Sequence, residues 1–348
     1  MKVLVTGHNG YIGNVLVPMF KDAGHEVVGL DSYLFRDCRM YRQEVDVPSM
    51  AVDVRDVAES DLAGFDAIVH LAALSNDPLG DLDPDLTYDI NYHGSVRLAT
   101  LARSAGVGRF LFSSSCSLYG ASSDEFLTEE AGFNPVTPYG ASKIKAEDDI
   151  RKLADASFSP TYLRNATAYG ISDHLRGDLV VNNLTGYAFL TGEALLKSDG
   201  KSWRPLVHIE DISRAFLAVL EAPREKVHNE AFNVGATKEN YLISDVAKIV
   251  GEVTGAKVTF SETSSPDARN YRVNCDKIAR RLPASQPRWT VRDGVEEIYG
   301  AYRRYGLSIT DFLGPRYQRI KKVRQLMETG QLDHSLRWRS RTFETVAV

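Results

Sequence analysis

The sequence predicts an α/β fold, a doubly wound parallel sheet with a smaller C-terminal α/β lobe. Three observations carry this expectation. Lys2-Val3-Leu4-Val5-Thr6 is a short apolar run of aliphatic and β-branched residues, the pattern of a parallel strand covered on both faces. Gly7-His8-Asn9-Gly10-Tyr11-Ile12-Gly13 follows at once and leads into a helical pattern from Asn14 to Ala23, closed by Gly24. Strand, turn and helix then alternate through about residue 170.

Taken in order, the second strand, Glu26 to Leu30, ends in Asp31. Glycines spaced G-x-x-G-x-x-G between strand and helix let the backbone turn tightly and approach a pyrophosphate at the helix N-terminus. An acid ending the second strand accepts hydrogen bonds from ribose hydroxyls and repels a 2′-phosphate, which favours NAD over NADP. Arg36 and Arg39 lie close enough downstream to temper that preference. Asp53, ending the next strand, either meets an adenine ring or sits in a solvated turn. The fourth strand, from Ala67, runs into Leu71-Ala72-Ala73, where small side chains let a flat cofactor lie close to the backbone. His70 within it reads as structural. Leu86 to Ala105 reads as one helix carrying Asn91, a residue with poor helix propensity and hence a candidate for a polar role. The fifth strand, Arg109 to Phe112, is followed by Ser113-Ser114-Ser115-Cys116-Ser117-Leu118-Tyr119-Gly120. Hydroxyls there stand at the carboxyl end of the sheet, where open α/β folds bind ligands.

Thr137-Pro138-Tyr139-Gly140-Ala141-Ser142-Lys143 reads as a helix start, with Thr137 as N-cap and Pro138 in the first turn. Tyr139 and Lys143 are four apart and share a face. A cation beside a phenol favours its anion, and a phenolate can take a proton from a hydroxyl and return it.

Composition narrows the classes. With 348 residues, 43% hydrophobic, 25% charged and a formal net charge of −5, the chain is an ordinary globular protein with no basic field for nucleic acid. No apolar run is long enough to span a membrane, and no signal peptide is expected. Three scattered cysteines, Cys38, Cys116 and Cys275, suggest reduced thiols in the cytoplasm and no metal site.

Over about residues 1–300 the chain resembles the extended short-chain dehydrogenase/reductases, in the branch of NAD-dependent nucleotide-sugar epimerases and dehydratases. The motifs are T-G-H-N-G-Y-I-G, Asp31, the L-A-A segment, Asn91, S-S-S-C-S-L-Y-G and Y-G-A-S-K. The resemblance implies a Rossmann-type domain over residues 1–170, a nucleotide-sugar lobe over 171–330 and a homodimer; residues 331–348 are expected to form a peripheral tail. It makes Tyr139 the acid/base, Lys143 the residue that tunes it and holds the nicotinamide ribose, and Ser115 the donor to the reacting oxygen. Asn91 supports the lysine through a helix carbonyl and a water. Thr6, Gly7, Asn9, Gly10, Tyr11, Ile12 and Gly13 wrap the NAD pyrophosphate. Dehydratases of the family carry an Asp-Glu pair where this chain has Cys116 and Ser117, which argues against dehydration. Cys116 is either a thiol acid/base on the substrate side or a small buried filler.

In the second half, the resemblance suggests Asn183 as a diphosphate contact and Asn165 as a sugar contact, although the family's Asn position is Thr167 here. Arg204 and Arg269, the latter in Pro266-Asp267-Ala268-Arg269-Asn270-Tyr271, are candidate phosphate ligands because a guanidinium binds phosphate oxygens bidentately. His208 and Asp211 are expected to order their segment. The basic stretch Arg316 to Lys322 reads as a solvated face or a subunit contact. The resemblance points first to a nucleotide-sugar epimerase acting at C4. A 4-ketoreductase consuming reduced cofactor is the second reading, and a non-catalytic nucleotide-binding protein the third.

Overall fold

The computed structural model describes residues 1–340 apart from 42–46, 76, 81 and 266–268. Residues 266–268 of the stretch before Arg269, and 341–348 of the expected tail, lie outside the described residues.

Seven strands form the central sheet: β1 (Lys2–Thr6), β2 (Glu26–Asp31), β3 (Ser49–Ala51), β4 (Ala67–His70), β5 (Arg109–Ser115), β6 (Ser159–Asn165) and β7 (Glu230–Val234). Their order is β7-β6-β5-β4-β1-β2-β3, with every neighbouring pair parallel. The order reverses between β1 and β4, so the loops leaving those two strands flank the crevice where such sheets bind ligands. The principal helices are α1 (Gly13–Asp22), α2 (Gly94–Ser104), α3 (Pro138–Arg151), α4 (Val180–Thr191), α5 (Ile209–Glu221) and α6 (Arg319–Glu328).

Strand residues alternate between two cores, as the pleat requires. Val3, Val5, Val69 and Leu111 pack with Leu16, Val17 and Phe20 of α1 and Phe216 and Val219 of α5. Leu4, Ile68, Phe110 and Phe112 face the other way, against Leu98 and Ala102 of α2 and Ala146 and Ile150 of α3. Both faces are covered, which accounts for the continuously apolar strands.

The second lobe packs α4, the helix Ile243–Thr254 and the helix Val291–Tyr305 around a third core. A three-stranded sheet, Asn240–Leu242, Trp203–His208 and Thr167–Tyr169, joins it to the first. His208 stacks on Trp289 at 3.9 Å, and the Asp211 carboxylate accepts from the Arg288 and Trp289 amides, so both residues order this segment.

Two expectations are corrected. The helix expected over Leu86 to Ala105 is broken into Pro84–Thr87, a π-helical turn Tyr88–His93 and α2. The wide turn sits at Asn91, and such turns recur at functional sites. Nor are residues 331–340 peripheral. Leu332 and Leu336 are buried with Leu74, Leu79 and Ile90 against Val323 and Leu326 of α6.

Candidate active site

A cavity of about 840 Å³ opens at the carboxyl ends of β1 and β4 and runs into the second lobe. Its first wall is backbone. Gly7 has φ +73°, and a methyl group there would stand 2.8 Å from the Ala72 amide nitrogen. At Gly13 a methyl group would stand 2.3 Å from the His8 carbonyl oxygen. Only glycine lets the β1 loop, α1 and the segment after β4 close on one another. Gly7, Asn9, Gly10, Tyr11, Ile12 and Gly13 all line the cavity, as do Leu71, Ala72 and Ala73. The Tyr11 ring turns inward, and its hydroxyl donates to the Gly170 carbonyl at 2.7 Å, tying the loop to the second lobe.

Thr6 does not reach this wall. Its hydroxyl lies 2.6 Å from His70 Nδ1 and accepts from the Ala72 amide, so it holds the segment after β4 in place. His70 is fully buried, with Ser95 Oγ 2.8 Å from its other nitrogen. Burial, aided by Lys143, pushes it down to about 3, which keeps it neutral and structural.

Asp31 and Asp53 mark the far end. Asp31 accepts from the Asn9 and Tyr33 amides, and desolvation raises it above the ordinary carboxylate value, opposed by His8. Asp53 is half-buried; Arg55 donates to it from its backbone and its guanidinium at 2.7–2.9 Å and, against partial desolvation, holds it below the ordinary carboxylate value.

Tyr139, Lys143, Ser115 and Ser117 share the wall near the mouth of β5. Thr137 Oγ1 accepts from the Gly140 amide, capping α3 and fixing where its first turn points. The Lys143 ammonium lies 5.9 Å from the Tyr139 ring centroid and donates to the Ser113 carbonyl at 2.8 Å. Burial lowers Lys143 to about 7, opposed by Glu147 one turn on. Ser115 Oγ accepts from the Ser117 amide at 3.1 Å, which leaves its O–H to donate elsewhere.

Asn91 holds the wall after β4. Its amide clamps Leu74 from both sides, accepting from the Leu74 N–H at 2.8 Å and donating to the Leu74 C=O at 3.0 Å, and its own carbonyl accepts from Ser95. It is a positioning residue for the wall after β4, without a place on the cavity. Cys116 is also corrected. Its thiol is fully buried among Leu118, Tyr119 and Cys275, donates to the Arg164 carbonyl, and is pushed well above the ordinary thiol value by burial. It is the filler, not a substrate contact.

Asn165, Asn183, Arg204 and Arg269 all reach the cavity. Asn165 donates to Ser113 Oγ, while Asn183 donates to the Gly177 carbonyl at 2.7 Å. Arg204 donates to the Arg269 carbonyl, which couples the two arginines. Sequence reasoning missed Arg176, Asp178 and Arg319. Arg176 pairs with Asp178 at 2.9 Å, donates to Ser75, and lies within electrostatic reach of the Tyr139 phenol. Arg176 and Asp178 gave no motif signal, being one arginine and one aspartate in a loop.

The residues present fit a dinucleotide. The backbone at Gly7 and Gly13 packs too tightly to admit a Cβ, and the same backbone lines one side of the cavity. Asn9 Oδ1, Ser114 Oγ, Ser117 Oγ and Asn165 Oδ1 are buried without hydrogen-bond partners, a cost that a polar ligand would relieve.

Fold and site together define a dinucleotide-dependent oxidoreductase of the doubly wound class. Over residues 3–235 the chain matches the NAD dependent epimerase/dehydratase family, and it belongs to that family. It is 28% identical to a UDP-glucose 4-epimerase of Corynebacterium glutamicum, with 92% of this chain and 99% of that one covered. It is 29% identical to a UDP-glucose 4-epimerase of Mycolicibacterium smegmatis, with 87% and 99% covered. Among solved structures it resembles MoeE5 in complex with UDP-glucose and NAD, at a TM-score of 0.76 and 26% identity, over 87% of this chain and 99% of that one. The protein is an NAD-dependent enzyme of the extended short-chain dehydrogenase/reductase group. Among the described residues, no helix is long and apolar enough to cross a membrane.

Proposed function

We propose that the protein epimerises a nucleotide-activated sugar by transient oxidation of one ring hydroxyl, at C4. The observation that carries this reading is the continuity of the cavity. One space joins the glycine cradle, the Tyr139–Lys143–Ser115 cluster and the arginines 204 and 269. A dinucleotide and a second, phosphate-bearing ligand fit such a space side by side.

In this reading Tyr139 takes the proton of the sugar hydroxyl and later returns it. Lys143, held against the Ser113 carbonyl, keeps a positive charge beside the phenol when protonated. Ser115 donates its O–H to the reacting oxygen, as the Ser117 amide already occupies one lone pair. Arg204 and Arg269 hold the diphosphate. When bound, NAD supplies the hydride acceptor and donor at the same carbon. The keto sugar turns over between the two half-reactions, so the cofactor shows no net change. UDP-glucose 4-epimerase activity in the relatives supports this choice of substrate class. The same reading makes the protein a cytoplasmic homodimer, and three buried free thiols fit a reducing compartment.

The test is a screen of UDP-, dTDP-, GDP- and CDP-sugars, following product and cofactor absorbance together. Interconversion of two sugar epimers with no net reduced cofactor is expected. Consumption of NADH one for one would replace the epimerase with a ketoreductase. Deuterium at C4 of the accepted sugar is expected to slow turnover, and an effect at another carbon alone would move the oxidised position.

A further inference from the structure

The C-terminal helix α6 carries a residue that its sequence pattern disguises. Arg319 belongs to a basic stretch, yet it is only 3% exposed and lines the cavity. Its guanidinium lies 4.3 Å from the Phe35 ring centroid, and one terminal nitrogen donates to the His174 carbonyl at 2.9 Å. The other, Nη1, is buried without a hydrogen-bond partner. The Cys38 thiol beside it is a poor acceptor. A guanidinium buried with an unmade donor is costly unless an anion completes it.

Its surroundings say which anion. Asp31, at the ribose end of the cavity, feels the charge of Arg319, and so do Asp178 and Arg176. Asp178 is already paired with Arg176. Arg319 packs on Phe35, just past the end of β2 that carries Asp31, while Arg204 and Arg269 belong to the second lobe. The segment after α6 is fastened over the same half. Trp338 Nε1 donates to the Ser32 carbonyl at 2.6 Å, Arg55 donates to the Ser335 carbonyl at 2.9 Å, and Leu336 reaches the cavity wall. Arg319, Ser335, Leu336 and Trp338 lie outside residues 3–235, the part that matches the family.

We propose that Arg319 is a pyrophosphate-binding residue for NAD, its unpartnered Nη1 donating to a phosphate oxygen, and that residues 319–338 clamp the adenosine half of the cofactor. The inference rests on the cofactor and is independent of which sugar is turned over. A pyrophosphate could equally come from the sugar nucleotide, so the test has two arms.

Full-length Arg319→Gln is purified, its bound NAD is quantified after denaturation, and the affinities of the NAD-stripped protein for NAD and for uridine diphosphate are measured by calorimetry. An NAD affinity weaker by about tenfold or more is expected, with uridine diphosphate binding unchanged. Loss of uridine diphosphate binding with NAD binding intact would assign Arg319 to the substrate and overturn the proposal. Melting temperatures with and without NAD separate binding from packing. The NAD-induced rise is expected to shrink, whereas an equal fall in both states would make Arg319 structural. Trp338→Phe tests the clamp if Arg319→Gln does not fold. It removes the bond to Ser32 and is expected to speed NAD release several-fold, and an unchanged release rate would sink the clamp.

Discussion

The two halves of the cavity are built from different materials. The cofactor half is backbone: a glycine turn, the Ala72 amide and a helix start meet at distances that exclude a methyl group. The half proposed to hold the sugar nucleotide is side chain. Asn165 is anchored to Ser113 of β5 in the central sheet, Asn183 to the Gly177 carbonyl, and Arg204 to the Arg269 carbonyl. A wall of backbone tolerates almost no change of shape, because a Cβ cannot be accommodated by a rotamer. A wall of long side chains tolerates changes of shape and fails on loss of charge.

That contrast predicts different failures. The largest effect is expected between the halves. Tyr139→Phe should keep NAD and lose turnover by at least roughly 10²-fold, the lower range for acid/base catalysis. Equal turnover in variant and parent would remove Tyr139 from the chemistry. Next, Gly7→Ala should cost about 1–3 kcal/mol in backbone strain alone. It should also yield protein depleted in NAD, measured by urea unfolding and by cofactor content. Full NAD occupancy would show that the glycine wall is not the cofactor wall. Third, Arg269→Gln should leave NAD content unchanged and raise KM for the sugar nucleotide roughly tenfold. A fall in NAD content would blur the two halves into one.

The smallest effect is a pH slope. The buried Lys143 amine is lowered from its ordinary value to about 7. Between there and the ordinary lysine value, the folded chain binds fewer protons at this site than the unfolded chain. Stability of the NAD-free protein should therefore rise with pH across that window, by at most about 1.4 kcal/mol per pH unit from this group. Lys143→Met should flatten that part of the profile in urea titrations. An identical slope in the variant would mean that the amine is not held in a low-dielectric site.

How legible each half was in the sequence follows from the same difference. β1, the glycine turn and α1 are contiguous, and the acid that serves them closes the next strand, so the cofactor half could be read directly. The cap at Thr137 and the four-residue spacing of Tyr139 and Lys143 were legible for the same reason. Asn91 showed its polarity but not its partner, since Leu74 is brought to it by a π-helical turn. Cys116 showed its position after β5 but not its direction. The short helical turn Cys116–Tyr119 points the thiol into a core shared with Cys275.

By itself the sequence determined the parallel sheet, the glycine turn between β1 and α1, the acid that ends β2 and the shared face of tyrosine and lysine. Each of these depends on backbone geometry over a few consecutive residues. Only the tertiary structure decided that Arg176, Arg319 of a basic helix, and Leu336 all line the cavity. Those outcomes depend on which distant segments pack together, and a guanidinium carries the same letter whether it ends in water or in a buried site.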